Sequence, residues 1–349
     1  MQNFIEKNLY RRSLLSYILW PISLIYDLIQ RIRRFLYSRK ASWYNPSPAK
    51  IVSVGNIVSG GSGKTPVTIF LAQHLRKKGY KLAVSHRGYR GDFEYDNKLV
   101  SDRKKIFSSA INAGDEVYLL ARRLKGIPII AGRNRSRSIE ILSREYHDLD
   151  YIILDDSFQH LKVKHDLELI VFNSSGGIGN GFLLPAGILR ESLQSLKYAD
   201  LIIWNGCQVI PDYFAGYKEK VITGQYKISS FTDRHGEAIT PEKIKISRLA
   251  LISAIGQPLS LENTLIKHGF KFKKHYKFND HHDYTTDDLM MVAKGIKKNH
   301  YDYIITTEKD YSKLERLDLG GIPILILRID FLPVDINKFD EIFFEKEIE

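Results

Sequence analysis

Two periodicities divide the chain. Runs with little or no polar character recur over its first two thirds: Ile51-Val52 with Val54, Leu82-Ala-Val84, Ile127-Pro-Ile-Ile130, Tyr151-Ile-Ile-Leu154, Leu169-Ile-Val-Phe172 and Leu201-Ile-Ile-Trp204. Between them apolar residues fall three and four apart, as in Val67, Phe70, Leu71 and Leu75. A run apolar on both faces is a strand with no solvent side, and intervening helices supply its cover. The pattern predicts an α/β fold with a parallel sheet covered on both faces, and it puts function at the carboxyl ends of the strands.

Over residues 221–246 the pattern changes to polar alternation, with Gly224 and a Thr240-Pro241 break, and reads as an extended linker. Leu249-Ala-Leu-Ile252 then opens a second α/β run, continued by Tyr303-Ile-Ile305 and Ile324-Leu-Ile326. The expected division is a body over 41–220, the linker, and a smaller α/β domain over 247–349. A chain of 349 residues has the length for two domains.

Residues 1–40 follow neither pattern. Ser13 to Tyr26 is uncharged and contains Pro21, with basic clusters on either side. It is shorter than the roughly 20 residues of a membrane-spanning helix, and Tyr17, Trp20 and Tyr26 are side chains that favour a membrane interface. The first fifty residues carry nine Lys and Arg against two acids, a net +7 of the chain's +12. The expected role is an interfacial segment on an anionic lipid surface. A helix folded onto its own protein and a tilted span extending through residues 27–30 are the alternatives. The overall charge suits either nucleic acid or a membrane; its concentration beside an apolar aromatic stretch favours lipid. A single cysteine, Cys207, excludes an internal disulfide.

The first strand runs into Gly60-Gly61-Ser62-Gly63-Lys64-Thr65 and then into a helical segment. Strand, glycine loop, Lys-Thr and helix form a phosphate cradle. Backbone N–H groups and the helix dipole face the anion, the lysine reaches the β and γ phosphates, and the threonine ligates Mg²⁺. The strict pattern would begin with glycine where this chain has Val58. The context still predicts a nucleoside triphosphate, and hence cytosolic nucleotide.

Other chemistry-bearing residues also follow strands. Asp155-Asp156 occupies a strand end where a carboxylate holds Mg²⁺ opposite the loop threonine. Asp115, in Gly114-Asp115-Glu116, is a candidate base for an attacking hydroxyl, although carboxylates in a first helical turn also serve the dipole alone. Arg87, Arg135 and Arg190 are candidate phosphate clamps. Asn279-Asp-His-His-Asp283 has three readings: a solvated loop, a metal site, or a histidine presented to the nucleotide from the second domain.

Together these motifs resemble the tetraacyldisaccharide 4′-kinase family, the lipid A 4′-kinases. The matching pieces are Gly55-Asn56, Gly60 to Pro66, His86-Arg87-Gly88-Tyr89, Gly114-Asp115-Glu116, Asp155 to His160, Gly179 to Gly187 with Arg190-Glu191, Ala254 to Pro258, Asp280-His281 and Thr307-Glu308-Lys309-Asp310. Ser157, His86, Ala254 and Gln257 depart from the family's usual residues, and Val58 agrees with its atypical loop. The resemblance implies two α/β/α domains of P-loop and Rossmann-like type, a short β-stranded linker and an N-terminal membrane-associated helix. It implies transfer of the ATP γ-phosphoryl to the 4′-hydroxyl of a tetraacylated glucosamine disaccharide 1-phosphate, at the cytoplasmic face of the inner membrane. By position Asp115 is then the general base assisted by His281. Lys64 and Thr65 serve phosphate and Mg²⁺, with Glu116, Asp155 and Asp156 around the metal. The expected partners are the lipid substrate and an anionic membrane surface, with neither nucleic acid nor an obligate protein partner.

The competing reading is a membrane-recruited ATPase or GTPase switch acting on a protein. Thr307-Glu-Lys-Asp310 echoes a guanine signature, but its lysine falls one place too late.

Overall fold

The computed structural model describes residues 8–38 and 47–345, so Lys7, Arg39 and Lys40 of the basic clusters lie outside the described residues. In chain order, α1 (Leu14–Ser38) precedes β1 (Lys50–Gly55), α2 (Lys64–Lys77), β2 (Leu82–His86), β3 (Lys98–Ser101), α3 (Asp115–Arg123), β4 (Ile129–Ala131), α4 (Arg135–Glu145), β5 (Tyr151–Asp155), β6 (Leu167–Asn173) and β7 (Leu201–Asn205). Then come β8 (Val221–Asp233), β9 (Leu249–Ser253), α5 (Pro258–Lys267), β10 (Phe272–Lys277), α6 (Thr286–Asn299), β11 (Tyr303–Thr307), α7 (Glu308–Leu314), β12 (Ile324–Pro333) and α8 (Ile336–Glu345).

The twelve strands make one continuous, mostly parallel sheet, ordered β10-β9-β11-β12-β8-β7-β6-β1-β5-β2-β4-β3. β1 is central to the first half, parallel to β5 and β6. Its alternation sorts the core: Val52 and Val54 face α2 and α3 through Val67, Leu71, Leu75, Val117 and Leu120, and Ile51 faces Ile139 and Leu142 of α4. Each such buried aliphatic side chain contributes about 1.5–3 kcal/mol relative to exposure. Covered faces on both sides are what the apolar runs require.

The expected linker is a strand. β8 runs parallel to β7 over Val221–Gly224 and antiparallel to β12 over Gly224–Asp233, carrying the sheet from one half into the other. Its polar alternation arises because the β8–β12 ribbon buries one face, through Phe231, and wets the other. β12 returns the chain across the ribbon, so residues beyond it pack differently from the expected grouping of 247–349. Phe339 and Phe343 of α8 join the β1–α2 core, with Phe339 edge-on to Phe70 at 5.3 Å.

α1 docks through its polar side. Ser23 Oγ donates to Leu183 O at 2.9 Å, and Arg34 pairs with Glu191 at 2.8 Å while lying over the Phe158 ring. Ser16 and Ser23 are buried, whereas Leu14, Ile18, Ile25 and Leu28 are 80%, 63%, 61% and 58% exposed. Such polarity is inverted relative to a helix that seals a soluble core. Pro21 sits inside the helix, and among the described residues no helix is long and apolar enough to cross a membrane.

Candidate active site

β1 delivers the chain to the glycine loop, and Gly63 caps α2 with φ +85°, in the left-handed region. A Cβ there would also meet Tyr226 Oη of β8 at 2.0 Å, so only glycine lets the loop pass under the ribbon. Ser62 Oγ accepts from Asn56 Nδ2 at 2.8 Å, tying the loop to the strand end. Lys64 begins α2 and its Nζ lies 3.3 Å from Asp156 Oδ1, with Arg190 Nη1 3.8 Å from the same oxygen. Burial opposes the charge on Asp156, but Lys64 and Arg190 hold its carboxyl below the usual range.

Asp155 ends β5, fully buried, and among the described residues both its carboxylate oxygens lack a hydrogen-bond partner. Burial raises its pKa against the opposing fields of His86 and Lys64. A buried carboxyl without a donor suits a cation. Thr65, Glu116, Asp155 and Asp156 all line one cleft, and such oxygen donors fit Mg²⁺, a hard ion that keeps several waters. Among the described residues no three His, Cys, Asp or Glu form a preformed cage, so the set suits a shared metal–phosphate site rather than a dedicated one.

The cleft has a volume of about 760 Å³ and lies between the halves. Gly60 to Thr65, Arg87, Glu116, Asp156 and Arg190 line one wall; Gln257, His281 and Lys309 line the other. Glu116, in the first turn of α3, accepts from Lys309 Nζ at 2.7 Å and meets His86 Nε2 at 3.1 Å. Burial pushes against its charge, yet Lys309 and His86 keep its pKa well below normal. Because Gly88 N donates to His86 Nδ1, the ring's proton is on Nε2 and points at Glu116.

Asp115 turns the other way, toward Lys313 at 3.1 Å and Arg316 at 3.4 Å. It shares a small recess with His281, His86, Tyr89 and Glu116, opening beside the cleft. His281 holds a left-handed φ of +60°, with its nitrogen bonded to Ala254 O and its carbonyl taking Arg90 Nη1 at 2.8 Å. Burial, then Lys309, depress its pKa. His282 points away, 2.9 Å from Asp288 and stacked on Phe278, so the Asn279–Asp283 stretch presents one imidazole to the cleft and spends the other on packing.

Arg135 does not reach the cleft. It is 2% exposed, and its guanidinium donates to Ser85 Oγ and to the carbonyls of Gly132 and Asp155, bracing the ends of β2, β4 and β5 from inside. Burial draws its pKa down to about 10, still fully charged at neutral pH. An arginine at the start of a helix after a strand reads equally as phosphate clamp or carbonyl brace; here the carbonyls take it.

Sequence reasoning missed the charge seam between α3 and α7. Glu116–Lys309, Asp115–Lys313, Arg122–Glu315 and Arg123–Glu308 all cross between the halves, and Arg123 also pairs with Asp330 of β12. The signal was the pair of short helices with complementary charge, Asp115-Glu116 with Arg122-Arg123 against Glu308-Lys309 with Lys313 and Glu315.

The family model described as tetraacyldisaccharide-1-P 4′-kinase matches residues 15–347. Tetraacyldisaccharide 4′-kinase of Halothermothrix orenii is 32% identical over 328 residues, covering 88% of this chain and 85% of that protein. The Pelobacter propionicus protein of the same name is 32% identical over 335 residues, covering 95% and 92%. The crystal structure of LpxK from Aquifex aeolicus in complex with ATP shares the fold with a TM-score of 0.75 at 24% identity, covering 95% of this chain and 99% of that one. With a family match over residues 15–347 and relatives of this similarity, the chain belongs to the tetraacyldisaccharide-1-P 4′-kinase family.

Proposed function

We propose that this chain transfers the γ-phosphoryl group of ATP to the 4′-hydroxyl of a tetraacylated glucosamine disaccharide 1-phosphate, a step of lipid A biosynthesis. One observation carries the reading: the Lys64 loop, the Asp155-Asp156 strand end, Glu116 and, from the opposite half, His281 line a single cleft. In the reaction the bond from the γ-phosphorus to the β,γ-bridging oxygen breaks, a bond to the sugar oxygen forms, and ADP leaves. The hydroxyl proton passes to the enzyme.

The loop from Gly60 to Thr65 cradles the phosphates, Lys64 reaches the β and γ groups, and Arg87 and Arg190 guard the mouth. Thr65, Glu116, Asp155 and Asp156 are the oxygen donors for Mg²⁺, which when bound neutralises charge on the phosphates. Asp115 receives the hydroxyl proton. Its ion pairs with Lys313 and Arg316 keep it oriented, and His281, neutral because burial and Lys309 depress its pKa, shares the recess and aligns the hydroxyl. Arg135 is omitted from this set.

The two halves act as domains, with the β8–β12 ribbon as hinge, and closure brings His281 and Lys309 over the nucleotide. α1 rests its outward apolar face on the anionic cytoplasmic leaflet, where the lipid acceptor and ATP meet. Phosphate transfer from labelled ATP to disaccharide 1-phosphate in detergent tests the reading. The wild type is expected to form the bisphosphate, and Asp115→Asn to be slower by about 10²–10⁴-fold, the range of general-base catalysis. Wild-type ATP hydrolysis without transfer would return the protein to the switch class.

A further inference from the structure

We propose that Lys309 is a phosphate-facing cation supplied by the second half, parked on Glu116 until a metal takes that carboxylate; the inference rests on the kinase reading above. Five ion pairs link α3 to α7 and the turn after it, Asp115–Arg316 at 3.4 Å among them, and they are not equivalent. Arg122–Glu315 is largely exposed at 44% and 30%, outside the cleft. Arg123 reaches into the cleft wall, but two carboxylates, Glu308 and Asp330, hold it. Lys313 is 3% exposed and also donates to His282 O at 3.0 Å, so it is fixed behind the recess. Arg316 pairs with Asp115 and does not line the cleft, and Lys309 differs from all of these. It lines the cleft with Lys64 and Arg190, its carboxylate partner is Glu116 at 2.7 Å, and its Nζ lies 3.5 Å from His281 Nε2.

Glu116 divides its oxygens. Oε2 accepts a hydrogen bond from His86 Nε2, and Oε1 accepts one from Lys309 Nζ. A divalent cation drawn to the Glu116 carboxylate would put two like charges on one oxygen, and the mobile one must leave. The released ammonium stays in the cleft, where Asp280 shares its wall and the triphosphate on the opposite wall would carry the greater negative charge. There it donates hydrogen bonds to the oxygens of the transferring group and keeps its own protons. Charge gathers on those oxygens most strongly in the transition state, so the contact belongs to catalysis more than to ground-state binding.

ADP with Mg²⁺ and aluminium fluoride mimics the transferring phosphoryl group and reads this contact without turnover. In Lys309→Met the affinity for that complex is expected to fall about 100-fold, the scale of losing one preorganised donor, while ADP alone binds within about threefold of wild type. Lys309→Arg should recover about tenfold of the loss, since the charge is kept and the reach changed. Arg122→Ala cuts another strand of the same seam outside the cleft and should leave analogue affinity within about threefold. If Lys309→Met holds the analogue as tightly as a wild type that transfers phosphate normally, the assignment of Lys309 falls and the kinase reading stands. If Lys309→Met and Arg122→Ala lose ADP and analogue binding alike, Lys309 is a clasp between halves and the inference is overturned. A wild type without transfer overturns both.

Discussion

Lys64 Nζ lies 3.3 Å from Asp156 Oδ1, so the loop lysine and the strand-end carboxylate neutralise each other across the floor of the cleft. Both are placed by backbone: Lys64 by the left-handed Gly63 before it, Asp156 by its own φ of +54°. On the proposed reading, a lysine held this way is already aimed for a phosphate that displaces the carboxylate. Lys64→Met should therefore lower kcat/KM for ATP by about 100-fold or more. Stability should fall by only about 1–2 kcal/mol, because Arg190 stays 3.8 Å from the buried Asp156 Oδ1 when Lys64 is removed. Transfer kinetics beside a thermal melt checks both parts. A large drop in Tm would mean that Lys64 is structural.

Arg135 should behave in the opposite way. Its guanidinium closes three strand ends, and removing it strands the carbonyls of Gly132 and Asp155 in a buried space. Arg135→Met is expected to destabilise the fold by about 1–3 kcal/mol, the cost of leaving buried acceptors unpaired. ATP affinity in the folded protein should stay within about threefold, since no contact with the cleft is lost. Urea unfolding and equilibrium ATP binding separate the outcomes. A stable variant that loses ATP would restore Arg135 to the nucleotide site.

What the residues alone disclosed follows the range of each interaction. The β1–loop–α2 unit is written within Lys50 to Lys77, and Asp155-Asp156 could be read from one apolar run meeting two carboxylates. Apolar runs report burial on both faces, so the sheet's parallel character was legible. Its continuity was not, because the polar alternation of β8 describes a half-wet strand and a wet linker equally well. The seam is a long-range product: Glu116 and Lys309 are 193 positions apart, and no local pattern in either helix names the other. Arg135 was misread because its neighbours in sequence set its position on the helix, while its partners come from two other strands.

His160 supplies a pH dependence. Burial, helped by Arg135 and His165, lowers its pKa from 6.5 to about 3, and among the described residues its Nε2 has no hydrogen-bond partner. The unfolded chain takes up this proton as pH falls through about 6.5, whereas the folded protein resists until about pH 3. Over that window the unfolded state binds more protons, so stability falls as pH falls, by up to about 1.4 kcal/mol per pH unit from this group. His160→Gln removes the group and should flatten the acid limb between pH 6 and pH 4, while lowering stability modestly at pH 8. Urea midpoints across pH compare the two proteins. Parallel profiles would assign the acid sensitivity to other residues.

α1 offers a test of where the enzyme works. Its serines and Arg34 face the protein, and Ile18, Ile25 and Leu28 are exposed among the described residues. An exposed apolar stripe of this length is a standing cost in water, and burying each such side chain recovers about 1.5–3 kcal/mol. Anionic lipid can take the stripe, with the helix's basic residues near its headgroups. Changing all three to glutamate removes the apolar gain and adds like charge, while Ser16, Ser23 and Arg34 remain to dock the helix. Binding to vesicles with anionic lipid should fall by about 100-fold or more. Transfer to vesicle-borne acceptor should fall with it, and ATP affinity should not move. Sedimentation with vesicles, paired with transfer to acceptor in vesicles and in detergent, distinguishes the outcomes. Equal losses in both media would mean that the helix shapes the active site, and unchanged sedimentation would mean that another surface meets the lipid.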